Sequence, residues 1–165
     1  MMRTVSLALV VLLTSSTAWA QGGGQAPAPP VQGITLELAK KMMAAAEAAA
    51  VALNARVAIA IVDMNGDLVA MQRMDGVSAR GVITAQGKAR AALLFGQPTR
   101  QVQEAAAAGK PVTATLVMPA AGAWEITVQQ GAFPVIKDGK VVAAIGVGGA
   151  GVDEKVAAAG LEASK

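Results

Sequence analysis

The sequence predicts an α/β (α+β) domain in which an antiparallel β-sheet is flanked by helices. Two pairs of apolar segments are each joined by a dipeptide typical of tight hairpin turns, Asn65-Gly66 and Asp138-Gly139. Strong helix formers precede the first hairpin and lie between the two, and another helical segment follows the second. Because hairpins pair neighbouring strands antiparallel, this order favours a sheet with helices packed on it over a parallel, doubly wound sheet.

The first helix is predicted over Leu36–Leu53, with Thr35 as its N-cap. Its apolar positions recur at helical spacing and are mostly alanine, so the helix can lie close to a sheet or to another helix. The run Val57–Val62 follows and predicts a buried strand. Leu68–Gln72 is its expected hairpin partner, across a type I′ turn at Asn65-Gly66.

A second helix is predicted from Arg80 to Phe95, with Ser78 as N-cap and Gly96 as its end. Its interior contains two glycines, Gly81 and Gly87, each of which costs about 1 kcal/mol relative to alanine. We therefore expect another part of the chain to pack closely against both positions.

A short third helix is predicted over Gln101–Ala108, with Thr99 as a cap. Val112–Ala123 shows no clear period and is predicted to be mostly loop. Ile126–Val128 is predicted to be a short strand.

The second hairpin joins Phe133–Ile136 to Val141–Val147. The second of these runs has no polar alternation, which predicts a central strand covered on both faces. It leads into the glycine-rich loop Gly146–Gly151 and a helix that starts near Asp153, with Val156–Ala163 as the C-terminal helical segment.

The two ends of the chain differ in composition and divide it into three parts. Residues 1–20 resemble a secretory signal peptide, with Arg3, an apolar run over Val5–Leu13 and the cleavage motif Ala18-Trp19-Ala20. That run is too short for a membrane span, which needs about 20 residues. Residues 21–33 are rich in glycine and proline and are predicted to be a flexible leader. The folded domain is then 34–165, in a periplasmic or secreted protein.

The composition excludes several kinds of site. The 165 residues contain no Cys, His or Tyr, which removes disulfides, thiolate chemistry and the commonest base and metal ligand. The net charge is +3, and the cations are dispersed with few aromatic residues between them, so no nucleic-acid surface is expected.

Two motifs have a chemical interpretation and a structural alternative. Asp63, Asp67 and Asp75 could form a carboxylate site for Ca²⁺ or Mg²⁺, but turn formation explains the same sequence, and no metal site is predicted. The glycines of Gly146–Gly151 could bind an anion through backbone N–H groups. A structural loop, or a backbone wall beside a ligand, is the preferred interpretation.

Three segments and one single residue together resemble the GlcG/HbpS family of haem-binding ("haem-degrading") domains, which is related to the C-terminal domain of PduO. The segments are Val62–Gly76, Gly87–Thr99 and Gly131–Gly149, and the residue is Asp153; the resemblance extends over nearly the whole of the folded part. It implies an antiparallel sheet flanked by helices, haem or a related tetrapyrrole as cofactor, and homo-oligomers that are often large, such as octamers built from dimers.

The resemblance also directs attention to possible cofactor-binding residues. Family members that bind haem are thought to use a histidine near the first helix, and that position falls near Ala49 here. Met42 and Met43 are the local candidates to replace it, since methionine can be an axial haem ligand, although methionine on such a helix is ordinarily core filler. Lys88 matches a family lysine. It could be a buried functional amine, but a helix-surface charge that pairs across an oligomer interface is favoured.

Three functions remain open at this point. The favoured one is an exported small-ligand-binding protein with haem or a related tetrapyrrole as its ligand. The second is a ligand-free accessory oligomer of an exported system. An enzyme acting on a small metabolite is third, because no cluster of Asp, Glu, Lys or Ser suggests an active site, so no catalytic residue is predicted.

Overall fold

The computed structural model describes residues 33–112 and 125–165. Helices and strands in these ranges follow the order α-β-β-α-α-β-β-α, which confirms the predicted α/β class. The predicted signal peptide and nearly all of the predicted leader lie outside the described residues, as do residues 113–123 of the predicted loop. The elements are α1 (Leu36–Ala52), β1 (Ala58–Asp63), β2 (Leu68–Arg73), α2 (Ala79–Phe95), α3 (Thr99–Ala107), β3 (Ala132–Lys137), β4 (Lys140–Gly148) and α4 (Asp153–Glu162).

The four strands form one antiparallel sheet in the order β2-β1-β4-β3. The long strand β4 is central, as its continuous apolar run predicted, and it pairs with β1 on one side and β3 on the other. Asp138 and Gly139 both have positive φ (50° and 73°), so the turn before β4 is the predicted type I′ turn. None of the described helices is long and apolar enough to cross a bilayer.

Helices cover both faces of the sheet, and the two faces differ in side-chain size. Ile59 and Ile61 of β1 pack into a core formed with α1 and α4. Ala58 and Ala60 point the other way, toward α2. Because side chains alternate along a strand, β1 places its two isoleucines under α1 and α4, and two alanines and Val62 under α2.

Glycines in β4 let α2 lie directly on the sheet. A Cβ at Gly146 would stand 2.3 Å from the carbonyl oxygen of Ala85, and one at Gly148 would stand 2.4 Å from Thr84 Oγ1. The expectation for the glycines of α2 is also confirmed. A Cβ at Gly81 or Gly87 would stand 2.6 Å or 2.5 Å, respectively, from a neighbouring side chain.

The caps of the two long helices are as predicted. Thr35 Oγ1 accepts a hydrogen bond from the backbone N–H of Leu38 at 3.1 Å, and Ser78 Oγ accepts one from Gly81 at 3.4 Å. Gly96 ends α2 in the left-handed conformation, with φ of 64°.

The first hairpin does not have the predicted type I′ turn. Gly66 has positive φ (82°), but Asn65 does not. The carboxylate of Asp63 explains the difference, because its Oδ1 accepts hydrogen bonds from the backbone N–H groups of Asn65 at 2.8 Å and Asp67 at 3.0 Å. The result is a three-residue loop, Met64–Gly66, that ends in a left-handed glycine, and a bulge follows in β2 opposite Ile61 and Val62.

Two smaller predictions are wrong. Thr99 is the first residue of α3 rather than its cap, because its buried hydroxyl accepts a hydrogen bond from the backbone N–H of Ala132 at 3.0 Å. Ile126–Val128 is not a strand. The backbone N–H of Thr127 instead donates to the carbonyl oxygen of Gly87 at 3.1 Å, so this segment runs along α2 and not beside the sheet.

Candidate functional site

A buried ion pair joins the middle of α2 to the start of α4. Lys88 Nζ lies 2.7 Å from Asp153 Oδ2, and the two side chains are 5% and 10% exposed. The second carboxylate oxygen of Asp153 accepts a hydrogen bond from the backbone N–H of Ala150 at 2.9 Å. A charge-assisted hydrogen bond between two largely buried groups is stronger than one at the surface, and it fixes both side chains in place.

The space for this pair is created by Gly131, just before β3. Gly131 has φ of 121°, and a Cβ there would stand 2.8 Å from Asp153 Cβ and 3.1 Å from Lys88 Nζ. Its carbonyl oxygen accepts a hydrogen bond from the backbone N–H of Val147 in β4 at 2.8 Å. Glycine is therefore required at this position both for the backbone conformation and for the close approach.

The ion pair forms the floor of what we call the polar groove. This groove has a volume of about 350 Å³, and beside the pair it is lined by Arg80, Thr84, Gln129 and the loop Gly149–Gly151. An adjoining depression of about 210 Å³ also reaches Lys88, Asp153 and Gln129. With Ser78, which also lines it, the groove combines two cationic side chains, one carboxylate, two hydroxyls, an amide and a loop with little side-chain bulk.

A second groove, which we call the apolar groove, lies between α1 and the edge strand β2. Its volume is about 360 Å³. Lys40 and Glu47 stand on its α1 side. Most of its remaining lining is apolar and includes Leu36, Met43, Ala44, Val69, Ala70 and Met71.

The structure does not bring the three predicted cofactor-binding residues together. Met43 lines the apolar groove, whereas its neighbour Met42 is fully buried in the core between the sheet and the helices α1 and α4. Lys88 lies on the other face of the sheet, in α2. Ala49, near which the resemblance predicts the family histidine to fall, is a half-buried residue of α1. A cofactor role for any of the three remains a prediction.

The favoured interpretation of Lys88 as a helix-surface charge is wrong. The residue is 4% exposed, and its charge is compensated by Asp153 of the same chain. The sequence identified Asp153 as a helix start and as a position of the family resemblance, but not as the partner of Lys88. The pair is 65 residues apart in the chain, and no local pattern links the two positions.

The other motifs singled out in the sequence have structural roles. Asp63 uses its carboxylate in the hairpin loop, and the described residues contain no group of three or more Asp or Glu side chains that could hold a metal ion. In the glycine loop, the N–H of Ala150 is already used by Asp153. Among the described residues, the carboxylate that accepts a hydrogen bond from this loop is therefore the side chain of Asp153.

A second ion pair holds α3 against the first turn of α4, next to Asp153. Arg100 Nε lies 2.8 Å and 2.6 Å from the two carboxylate oxygens of Glu154. This hydrogen bonding to Glu154 raises the pKa of the Arg100 guanidinium above its ordinary value. Arg100 therefore stays charged at any working pH, and the pair supports the position of α4.

Comparison with known proteins identifies relatives that match most of this chain. A 15.0 kDa protein from the dhaT-dhaS intergenic region of Citrobacter freundii is 34% identical over 73% of this chain and 83% of its own length. GlcG of Escherichia coli K12 is 32% identical over 69% of this chain and 80% of its own length. A double mutant of Streptomyces reticuli HbpS superposes with a TM-score of 0.66 at 29% identity, covering 91% of this chain and 97% of that one.

A more distant structure shares the fold. The complex of PduOC with haem superposes with a TM-score of 0.68 at 20% identity, over 79% of this chain and 94% of that one.

The sequence profile of the family described as "Haem degrading protein HbpS-like" matches residues 34–162. With that match, and with relatives above 30% identity over most of the domain, the chain belongs to the family of HbpS-like haem-degrading proteins.

Proposed function

We propose that this chain is an exported protein that binds haem or a related tetrapyrrole in the apolar groove. The observation that carries the proposal is the lining of that groove, where the thioethers of Met43 and Met71, the ammonium of Lys40 and the carboxylate of Glu47 stand at an otherwise mostly apolar surface. A tetrapyrrole needs apolar contact for its ring and a cation for its propionates. The family description and the haem complex of PduOC support the same ligand class.

The residues of the groove fit such a ligand in a restricted way. Because the chain has no His, Cys or Tyr, a thioether is the haem ligand type that the groove can offer. Met43 would approach the iron, and Lys40 would pair with a propionate at the rim. Bound haem would supply a redox-active iron, and the chain's own residues would hold and orient it. Export rests on the signal-like pattern of residues 1–20.

A haemin titration of the chain from Gln21 onward, followed at the Soret band, tests this proposal. We expect saturable one-to-one binding that Met43→Leu and Lys40→Gln each weaken by about tenfold, equivalent to ~1.4 kcal/mol. Leucine keeps the side-chain volume and removes only the thioether. If Met43 ligates the iron, Met43→Leu also shifts the Soret maximum.

Two further variants make the assignment specific. Met42→Leu makes the same change at a fully buried neighbour, and Met64→Leu makes it in the exposed loop between β1 and β2. We expect both to bind haemin like the parent chain. A flat titration would exclude haem as the ligand, and equal affinities for Met43→Leu and Met64→Leu would exclude the thioether of Met43.

A second candidate, an accessory oligomer, is favoured by the apolar surface. Leu36 is 52% exposed, Val51 63% and Ile136 56%. A core built largely of alanine and glycine buries little apolar area. Contact between copies would bury more, and each Å² would contribute about 25 cal/mol of stabilisation. Light scattering of the ligand-free chain is expected to give a mass of several chains. A monodisperse single chain at micromolar concentration would contradict this candidate.

A further inference from the structure

We propose that the polar groove is a binding site for a small monocarboxylate that carries a hydroxyl or oxo group. Arg80 and Lys88 would receive the carboxylate, and Thr84 and Gln129 would bind the polar substituent. The site is separate from the apolar groove, because it lies beside α2 on the other face of the sheet. It does not depend on whether the chain binds haem.

The first argument is the unused hydrogen-bonding capacity of Lys88. An ammonium group has three N–H donors, and the contacts of Lys88 with the described residues use one of them, to Asp153 Oδ2. The side chain is 5% exposed, yet it forms part of the groove wall. Because a buried donor without a partner is costly, the remaining donors need acceptors, which water or a bound ligand in the groove can supply.

The second argument is charge. The groove contains the cations Lys88 and Arg80 and the carboxylate of Asp153, which together leave one positive charge. Arg80 forms an ion pair with none of the described carboxylates, including Glu125, which lines a neighbouring depression with it. A guanidinium matches the flat, two-oxygen geometry of a carboxylate. A monoanion would therefore neutralise the site.

The same charges disfavour a phosphate dianion. Asp153 stands on the floor of the groove, 2.7 Å from the amine that would receive the ligand. A second negative charge on the ligand would exceed the single positive charge of the groove and would be repelled by this carboxylate. The carboxylate of Asp153 also orients Lys88, so that the amine is held in place before the ligand binds.

The third argument is size and shape. The volume of about 350 Å³ lies at the lower end of the range for small-molecule sites. Gly149 and Gly151 in the wall of the groove carry no side chain, so a ligand can approach the backbone closely. The hydroxyl of Thr84 donates to the carbonyl oxygen of Gly81 at 3.1 Å and can still accept, and the amide of Gln129 can both donate and accept. A compact acid with one neighbouring oxygen substituent fits this arrangement.

The test is a titration of ¹⁵N-labelled protein with lactate, acetate and inorganic phosphate, read from the backbone amide shifts. We expect lactate to shift the amides of Gly149–Gly151 and Gln129, acetate to bind more weakly because it lacks the hydroxyl, and phosphate to bind most weakly. Arg80→Gln is expected to weaken lactate binding by about tenfold, as loss of a charge-assisted contact predicts. Arg80 is exposed, so this variant is expected to fold.

Arg73→Gln is the matched control, because it removes the same charge from an exposed position at the end of β2 that lines neither groove. Equal effects of Arg80→Gln and Arg73→Gln on lactate affinity would overturn the proposal. So would amide shifts along α1 and β2, or phosphate binding at least as tight as lactate. Equal affinities for lactate and acetate would overturn the role given to Thr84 and Gln129.

Discussion

Gly146→Ala is expected to lower the free energy of unfolding by about 3 kcal/mol, because the added methyl group has no space. It would stand 2.3 Å from the carbonyl oxygen of Ala85 and 2.5 Å from the backbone nitrogen of Ala89. Both atoms belong to the backbone of α2, so a side-chain rotation cannot relieve the clash, and the helix must move away from the sheet. Urea denaturation followed by circular dichroism measures the loss.

The matched control is Gly151→Ala in the loop after β4. A Cβ at this glycine has no heavy atom within 4 Å, so the variant is expected to stay within about 0.5 kcal/mol of the parent. If both variants unfold at the same urea concentration as the parent, the contact between α2 and β4 is looser than described. If both are equally destabilised, the effect comes from the backbone and not from packing.

The helices and strands were predictable because each follows from a local pattern. Thr35 and Ser78 have the cap residue type before a helical run, and Asp138-Gly139 has both residues that a type I′ turn needs. The glycines Gly81 and Gly87 also correctly predicted close packing, because a helix interior disfavours glycine unless another part of the chain lies close to it. Short-range preference and long-range packing agree at these positions.

The wrong predictions share a physical cause, which is competition from a partner outside the local pattern. The type I′ turn at Asn65-Gly66 is replaced because the Asp63 carboxylate binds two backbone N–H groups of the loop. Thr99 does not cap α3, because its hydroxyl accepts a hydrogen bond from the buried backbone N–H of Ala132 in β3. Local propensity does not show with which of two available partners a polar side chain forms its hydrogen bond.

The candidate sites were only partly predictable for the same reason. Met43 and Lys88 were identified as residues, but the sequence did not show that they belong to different grooves on opposite faces of the sheet. Position 131 needs glycine because Lys88 and Asp153 pack directly against it, and only the structure shows this contact. Three segments distant in the chain meet there, and no sequence period connects them.

Lys88→Met is expected to destabilise the chain by about 3–5 kcal/mol, because it leaves the carboxylate of Asp153 buried without its partner. Asp153 is 8% exposed, and its remaining hydrogen bond is to the backbone N–H of Ala150. Methionine has nearly the length of lysine, so little volume is lost and the effect reports the charge. Urea denaturation at neutral pH gives the change in unfolding free energy.

The double variant Lys88→Met with Asp153→Asn separates the lost pair from the stranded charge. Asparagine keeps an oxygen for the N–H of Ala150 but carries no charge, so we expect it to recover most of the stability lost in the single variant. Lys165→Met is the control, because it breaks an exposed ion pair. The side chains of Lys165 and Glu162 are 69% and 65% exposed, so the loss of unfolding free energy is expected to be less than about 1 kcal/mol. A double variant no more stable than Lys88→Met would mean that packing of the lysine stem, and not the unpaired carboxylate, holds α2 to α4.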